Sequence, residues 1–459
     1  MTWRTLIRET VDRWRQPIPS PGRLLPFFPS THSSIDLRIV SRMLLHASLV
    51  GLAAGLAGVA FFYLLELLQW LLLEQAAGYT VLRAHGEPSP ASVGVRDFRP
   101  WLLAILPAIG GLICGLISRY AVEVRGGGTD AIITSFHHQS GTMRKRVIGI
   151  KALASLLTLG TGGSGGREGP TMYIGGALGS LTGQLLQLTA RERRILLVAG
   201  IAAGISAVFK TPLGAALLAV EVLYRDGFES DALIPSVFAS VVSYSLAVSI
   251  TGESTLFAHD GHFPFLPAHL PLYALLAVVV AAAATLFLGV FRLIRTAFTK
   301  LPGPVWIRPG IGGLALGLLS VPIILLVGNF VHIPGQGIGL LGGGYGAVQM
   351  AISGVSWLPD GWHAVLLLSV IAFAKMVATS FTIGSGGSAG DFAPSLAIGG
   401  LVGGAFGQTA RILFADPAID PGAFALVGMG AFMADWPTCP WPRSSSSANS
   451  PAATICWFR

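Results

Sequence analysis

The residue best placed to do chemistry in this sequence is Glu168, a carboxylate in the glycine turn Gly166–Pro170 within an apolar stretch. A charge there is costly unless it faces the protein interior or a water path. The glycines let backbone N–H groups converge, and Pro170 predicts a helix N-terminus, whose dipole attracts anions. The N–H groups near Arg167, Glu168 and Gly169 therefore predict an anion site. Because Glu168 can fill that site itself, we predict that it is a gate. An Arg167–Glu168 ion pair that only caps the helix is the alternative.

A second turn, Gly390–Pro394, offers the same backbone geometry, with the apolar ring of Phe392 at the place of Glu168. We expect the backbone N–H groups of Asp391, Phe392 and Ala393 to contact the anion as well. Two facing turns of this kind would hold one dehydrated small anion between them. The charge of Asp391 would repel that anion, so its side chain is expected to point to water.

The two turns belong to an internal repeat. Lys151–Gln184 recurs without a gap at Lys375–Gln408, at an offset of 224, with 15 identities in 34 positions. Each copy follows a glycine triplet, Gly126–Gly128 or Gly342–Gly344, and the second copy has eight extra residues between triplet and lysine. Paired apolar segments interrupted by Gly and Pro indicate a substrate site near the middle of a bilayer.

The composition predicts the surroundings of this site. Charged residues make up 11% of the chain, against about 25% in soluble domains, whereas apolar residues make up 52%. Stretches near the roughly 20 residues that cross a bilayer predict an all-α, multi-pass membrane protein with no appended soluble domain. These stretches are Leu44–Leu73, Trp101–Ser118, Ala232–Ile250, Leu270–Ile294, Ile311–Val331 and Ala364–Ile383.

The distribution of charge predicts domains and orientation. Residues 1–36 are interpreted as a cytoplasmic N-terminal segment because arginines concentrate near the start of the chain. Residues 37–433 form the predicted membrane domain, with repeat halves at about 44–250 and 270–433. The net charge of +8 is attributed to an excess of basic residues on the cytoplasmic side, and nucleic-acid binding is excluded on that reading. A bacterial inner membrane is the expected location.

Several motifs are weighed and set aside. Gly162-x-Ser164-x-Gly166 fits the nucleophile elbow of serine hydrolases and recurs at Gly386–Gly390, but no preceding strand or His/Asp pair accompanies it. His259–His262 could offer metal ligands, yet it lies in a polar loop. The three cysteines show no metal or redox spacing. We therefore predict no enzyme activity, no cofactor and no metal.

The chain resembles the CLC family of chloride channels and proton/chloride antiporters. The family's GREGP turn is intact at Gly166–Pro170, and its GxFxP turn is Gly390, Phe392 and Pro394. The segments LGGGYGAVQMAISG and TPLGAALLAVEV also resemble family counterparts. The resemblance implies an inverted repeat of oblique and re-entrant helices, a homodimer with one pore per subunit, and Glu168 as the gating glutamate.

Three departures from the family pattern affect the predicted function. The family's first filter turn would fall at Gly126–Asp130, so Gly127 replaces the anion-contacting serine and the N–H groups near Gly127 and Gly128 remain. The internal proton-accepting glutamate of the antiporters is Val222 here, which cannot carry a proton. The filter tyrosine lies in the family's last helix, for which this chain offers no matching residue.

The end of the chain differs in kind from the rest. Residues 434–459 are rich in Pro and Ser, and no helix can run through that proline spacing. A disordered tail is one interpretation; a reading-frame shift is the sharper one. Shifting the frame allows an apolar segment with Pro and Glu nine residues apart, as at Pro212 and Glu221. Loss of the last helices could leave this product inactive.

These observations predict a passive CLC-type channel for chloride or a similar small anion, gated by Glu168. The alternative is a proton-coupled antiporter that uses another internal acid, such as Glu221. An intramembrane enzyme is the remote third class.

Overall fold

The computed structural model describes residues 37–87, 97–224, 229–258 and 266–434. The predictions for segment 1–36, for His259–His262 and for the reading frame beyond Ala434 lie outside these residues. Leu37–Met43, at the start of the first helix, group with the N-terminal unit, and the described residues from Leu44 onwards group into one compact unit.

The described part of the chain is helical, and its only bridges of β type are isolated pairs. Helices of the first half are α1 (Leu37–Gln69, continued by a π-helical segment, Trp70–Ala76), α2 (Pro100–Ile117), α3 (Thr129–His138), α4 (Arg146–Gly160), α5 (Glu168–Leu185), α6 (Ala190–Phe209), α7 (Pro212–Glu221) and α8 (Ser230–Thr251). Those of the second half are α9 (Leu270–Lys300), α10 (Arg308–Val331), α11 (Tyr345–Ser353), α12 (Trp362–Gly384), α13 (Phe392–Phe414) and α14 (Pro421–Ala434).

Seven of the described helices are long and apolar enough to cross a membrane. Six of them contain the six predicted stretches almost completely; Ser118 alone falls just past the end of α2. The seventh is α13, Phe392–Phe414, which has the lowest mean hydropathy of the seven because it is rich in glycine. Its apolar character was therefore weak in the sequence, although the repeat already marked it as part of a structural unit.

The outer surface of the helices is apolar. Leu45, Leu49, Leu52 and Leu56 follow one another on a single face of α1 and remain 44–61% exposed. Their spacing of three or four residues places them on one stripe of the helix. Because the backbone polar groups of a helix bond internally, such a surface suits lipid contact. The protein is an all-α, multi-pass membrane protein.

The helices approach one another closely through glycines, and the contact is repeated in the two halves. A Cβ added at Gly175 of α5 would collide with the backbone of Gly200 in α6. The equivalent residue of α13, Gly399, meets the backbone of Gly428 in α14 in the same way. Close backbone approach at small residues is the usual means of helix association in membranes. Each turn-bearing helix is therefore fixed by its own partner helix.

Candidate anion-binding site

The two repeated turns are joined directly to each other. The N–H of Gly166 donates to the carbonyl of Gly390 at 2.6 Å, and the N–H of Gly390 donates back to Gly166 at 2.8 Å. Gly166 and Gly390 are equivalent positions of the repeat, because they differ by the offset of 224. An antiparallel exchange between equivalent residues is what a two-fold axis between the copies produces. The repeat is thus two-fold symmetric at its centre.

Hydroxyl contacts around the turns repeat with the same symmetry. Ser155 Oγ lies 2.8 Å from Ser388 Oγ, and the equivalent pair, Thr379 Oγ1 and Ser164 Oγ, lies 3.1 Å apart. Similarly, Thr158 accepts from the backbone N–H of Ser388 at 3.3 Å. Ser164 and Ser388 are the serines of the two set-aside G-x-S-x-G patterns. Each hydroxyl bonds to the helix that precedes the turn in the other copy, so the pattern here is a packing turn.

Two buried lysines fix the glycine triplets. Lys151 Nζ donates to the carbonyls of Val124 and Gly126 at 2.9 and 2.6 Å. Lys375, its repeat equivalent, donates to the carbonyls of Leu340 and Gly342 at 3.1 and 2.7 Å. Both side chains are fully buried. A buried ammonium is tolerated only where it is hydrogen-bonded, so each lysine ties its own triplet to the helix that precedes the turn.

These ties bring four helix N-termini together. Helices α3 and α11 begin directly after the triplets, whereas α5 and α13 begin within the repeated turns. Helix α5 starts at Glu168, two residues before the predicted start at Pro170, so the predicted gate residue belongs to its first turn. Gly169 lies against Gly127 and Gly390: a Cβ on it would be 2.8 Å from Gly390 Cα and 3.0 Å from Gly127 O. The predicted anion-contacting segments are therefore adjacent, each with its positive helix end at the centre.

Glu168 is buried within this cradle, with 1% of its surface exposed. Its Oε1 accepts a hydrogen bond from the Tyr345 hydroxyl. Oε2 is buried and has no hydrogen-bond partner among the described residues. A Cβ on Gly166 would collide with Oε2 and would lie 3.1 Å from the Ala393 nitrogen. The carboxylate thus lies against the backbone of the opposite turn, in the space where an anion was predicted.

Arg167 points mainly to other carboxylates. One of its terminal nitrogens lies 2.9 Å from Glu87 Oε1 and the other 3.5 Å from Glu66 Oε1. Its Nε is 4.0 Å from Glu168 Oε1, the longest of the three contacts. The guanidinium lies between the rings of Phe62 and Tyr345, at 4.6 and 4.7 Å from their centroids. The alternative of an Arg167–Glu168 pair that simply caps the helix therefore accounts for little of the arginine's environment.

The charges behind Arg167 form a buried ladder, which we define as Glu66, Glu74, Arg83, Glu87 and Arg167. Arg83 contacts Glu66 at 3.4 Å and Glu74 at 2.5 Å. Every member has at most 18% of its side chain exposed. Opposite charges in low dielectric are retained only with close partners, so the ladder holds Arg167 in one orientation beside Glu168.

A cavity of about 230 Å³ lies beside the ladder. Two cations, Arg167 and Lys210, line it together with Glu87, His85, Phe209 and Ser254. Lys210 Nζ donates to Gly252 O and Ser254 Oγ at 2.9 and 2.8 Å. A cavity with cations on its wall raises the local concentration of anions. It is large enough for a hydrated small anion next to the turn that carries Glu168.

The remaining predicted residues occupy the rim of the site or lie elsewhere. Asp391 and Phe392 are half-buried, and the Phe392 ring meets that of Phe209 edge to face at 5.4 Å. Val222 follows the end of α7, is half-buried and packs against an apolar cluster. Glu221, the last residue of α7, is exposed.

Sequence reasoning missed Tyr345, the charge ladder and the roles of the lysines. The lysines are the first residues of both aligned repeat segments, and the same charged residue at one place in two apolar copies was a usable signal. Glu66 likewise stood alone in the apolar run of α1. Tyr345 carried no local signal because its contact with Glu168 spans 177 residues.

Comparison with known proteins finds chloride channels and chloride/proton exchangers. The family model for voltage-gated chloride channels matches residues 109–437. The H(+)/Cl(−) exchange transporter ClcA of Yersinia pestis bv. Antiqua (strain Angola) is 30% identical over 399 residues, 85% of this chain and 76% of that protein. A putative chloride channel protein, ClcB-like, of Ralstonia nicotianae is 29% identical over 399 residues, which are 85% of this chain and 85% of that protein. The crystal structure of a slow cyanobacterial Cl⁻/H⁺ antiporter matches 86% of this chain and 85% of its own, with a TM-score of 0.70 and 24% identity.

Proposed function

The chain belongs to the voltage-gated chloride channel (CLC) family, and from this premise we propose that it exchanges chloride for protons across a membrane, with Glu168 as the gate. One observation carries the proposal. A buried carboxylate lies at the meeting point of four helix N-termini, with one oxygen against the opposite turn and no partner for it among the described residues. It occupies the place that suits a small anion.

The anion would bind to backbone donors. When Glu168 leaves the cradle, N–H groups of the turns containing Gly127, Gly169 and Ala393 face the vacated space, and helix dipoles add favourable potential. Several weak donors let an anion shed water without being trapped, which permits passage. Gly127 supplies no hydroxyl, so this site relies on backbone donors more heavily than one with a serine there.

Glu168 also provides the chemistry for coupling. A carboxylate that leaves the cradle when protonated, and competes with the anion when charged, links the two substrates through one side chain. A curated relative at 30% identity is named as an exchange transporter, and that name supports exchange over the passive channel predicted from the sequence. In this proposal the protein is a transporter and not an enzyme.

A passive channel remains the second candidate because of Val222. No proton can be carried at that position, and the nearest acid along the chain is Glu221, which is exposed at the end of α7. If Glu221 delivers protons on that side, exchange is possible without a carboxylate at 222. If neither Glu221 nor another group delivers protons, chloride passes without them.

One experiment separates the two candidates. The full-length chain is reconstituted in vesicles with a chloride gradient, and external chloride and external pH are recorded together. Exchange predicts that the pH changes as chloride moves, and a passive channel predicts chloride movement at constant pH. No chloride movement at all contradicts both.

Matched variants locate the proton route. Glu168→Ala is expected to abolish proton movement while chloride still moves. Glu221→Gln is expected to reduce proton movement with chloride flux retained, and Glu253→Gln, an exposed acid on a loop, serves as the control. Equal proton movement in Glu221→Gln and Glu253→Gln would remove Glu221 from the route.

We also propose that the protein is a homodimer in a bacterial inner membrane, with its N-terminus on the cytoplasmic side. The family resemblance supports the dimer, and the excess of arginine near the N-terminus supports the orientation. Mass measurement in detergent tests the first. Protease accessibility of an N-terminal tag in intact cells tests the second.

A further inference from the structure

We propose that Tyr345 is a positioning residue for the gate: its hydroxyl holds the Glu168 carboxylate in the anion cradle and sets how readily a chloride ion displaces it. The proposal rests on the assignment of Glu168 as the gate. It adds a residue from the other half of the chain that controls the gate.

The first support is the contact itself. The Tyr345 hydroxyl donates to Glu168 Oε1 inside the protein, and Tyr345 is only 4% exposed. It is the one side-chain hydrogen bond that the structure shows to this carboxylate among the described residues. A hydrogen bond to an ionised acceptor is among the stronger ones and favours the charged form. Tyr345 therefore stabilises the state in which Glu168 fills the cradle.

The second support is that the Tyr345 ring is itself fixed. The Arg167 guanidinium lies 4.7 Å from its centroid, and the ring centroids of Phe209 and Phe257 each lie 6.2 Å from it. A Cβ on Gly343 would lie 2.7 Å from the ring. A hydroxyl held by such packing is preorganised, so little conformational freedom is lost when it bonds.

The third support is a difference between the two copies of the repeat. Tyr345 is the first residue of α11, after Gly344 at φ 89°; Thr129 is the first residue of α3, after Gly128 at φ 92°. The backbone is thus the same, and the side chains differ. Tyr345 has Glu168 as its partner, whereas Phe392, the counterpart of Glu168, has no polar atom to bond. The two residues that differ between the copies, Tyr345 and Glu168, are the two partners of this hydrogen bond. The shared scaffold does not require the bond, because the other copy forms the same backbone without it.

Other charged groups near Glu168 do not substitute for the tyrosine. The titratable and charged groups that face Glu168 from its own turn and from neighbouring elements are Arg167, Tyr345 and, beyond Arg167, Glu66, Arg83 and Glu87. Arg167 lies 4.0 Å away and is held by Glu87 at 2.9 Å. The direct hydrogen bond is therefore the contact most easily isolated by mutation.

The test is Tyr345→Phe in the full-length chain, which removes one oxygen and keeps the ring. Chloride efflux from vesicles is measured from pH 4.5 to 8. We expect flux at neutral pH to rise about tenfold, equivalent to about 1.4 kcal/mol. The midpoint of the pH dependence should move upward by about one unit, since less stabilisation of the charged form makes protonation easier. Chloride titration calorimetry in detergent should show tighter binding by a similar factor, because Glu168 competes less well.

Tyr273→Phe is the matched control. Tyr273 stacks on Phe424 at 4.5 Å, in a different part of the protein, and loses a hydroxyl in the same way. It should leave flux, pH midpoint and chloride affinity unchanged. Wild-type values for Tyr345→Phe in all three measurements would overturn the proposal.

The double variant with Glu168→Ala distinguishes this inference from the assignment of the gate. Tyr345→Phe should have no further effect in the Glu168→Ala background, because the two residues act through one bond. If Glu168→Ala alone leaves the pH dependence intact, the gate assignment fails. If Glu168→Ala removes it and Tyr345→Phe behaves like wild type, only the role of Tyr345 fails. An equal effect of Tyr345→Phe in both backgrounds would show that the tyrosine acts elsewhere.

Discussion

The two copies of the repeat share their scaffold and differ in the residues at the proposed anion site. Lys151 and Lys375 hold equivalent carbonyls, and Gly166 and Gly390 bond to each other across the two-fold axis. In contrast, the position of Glu168 in the first copy is occupied by Phe392 in the second. Symmetry therefore builds a cradle from two sides, and a local departure from symmetry supplies a group that can close it.

The difference extends beyond the gate itself. Only the first copy carries an arginine at the turn, Arg167, and it is held in place by the charge ladder. The second copy has Asp391 there, half-buried. The two copies thus place different charged side chains at equivalent positions of the turn, and only that of the first copy is held by the ladder. Residues of the scaffold should consequently behave alike in the two halves, and residues of the cradle should not.

The largest effect is expected at the buried lysines. Lys151→Met or Lys375→Met removes the donor from two buried carbonyls, and each unsatisfied carbonyl costs about 1–3 kcal/mol. We expect each variant to lower the free energy of unfolding by roughly 2–6 kcal/mol, with similar values for the two. Thermal unfolding in detergent measures this. A large loss in one variant and none in the other would contradict the shared scaffold.

A smaller effect on transport is expected from the charge ladder. Glu87→Gln weakens the 2.9 Å contact with Arg167 and leaves Glu66, at 3.5 Å, as the remaining restraint, so the arginine can pair more closely with Glu168. The gate would then be held more tightly, and chloride flux at neutral pH should fall about tenfold, for a gain of about 1.4 kcal/mol. Glu123→Gln is the control, because Glu123 pairs with Arg144 away from the gate. Unchanged or faster flux in Glu87→Gln would show that the ladder does not restrain Arg167.

The smallest effect is expected for the hydroxyl pairs. Ser155→Ala and Thr379→Val each remove one of two equivalent contacts, at 2.8 and 3.1 Å. A hydrogen bond of this kind contributes about 1 kcal/mol to stability. The two variants should therefore shift the unfolding temperature by similar small amounts. A clear difference between them would limit the symmetry to the backbone.

The sequence predicted those parts of the site that depend on local chemistry. The glycine turn, Glu168 and its counterpart Phe392 were visible because a broken apolar run and a repeat are properties of neighbouring residues. The helical, membrane-spanning class was predictable for the same reason, and the structure confirmed it. The start of α5 was predicted two residues too late because Pro170 suits the first turn of a helix at more than one position.

The missed residues depend on distant contacts. Tyr345 reaches Glu168, and Glu87 reaches Arg167, only after the halves have folded together. Neither the residue type nor the spacing predicts such a partner. The lysines were visible in the repeat but could not be interpreted until their carbonyl partners were known.

The passive channel preferred from the sequence is less well supported than exchange. That preference rested on one position, Val222, whereas the curated relative that shares 30% identity over most of the chain is named as an exchanger. A single residue in a half-buried, apolar setting says which group cannot carry a proton there. It does not say that no other group does.

The most direct test of the central claim is the pH dependence of chloride efflux from vesicles, compared for the wild type, Glu168→Ala and Phe392→Ala. Wild-type flux should rise as the pH falls, because protonation releases the carboxylate from the cradle. Glu168→Ala should give high flux that is independent of pH, whereas Phe392→Ala should alter the amount of flux and keep its pH dependence. A Glu168→Ala variant that retains the wild-type pH dependence would contradict the account.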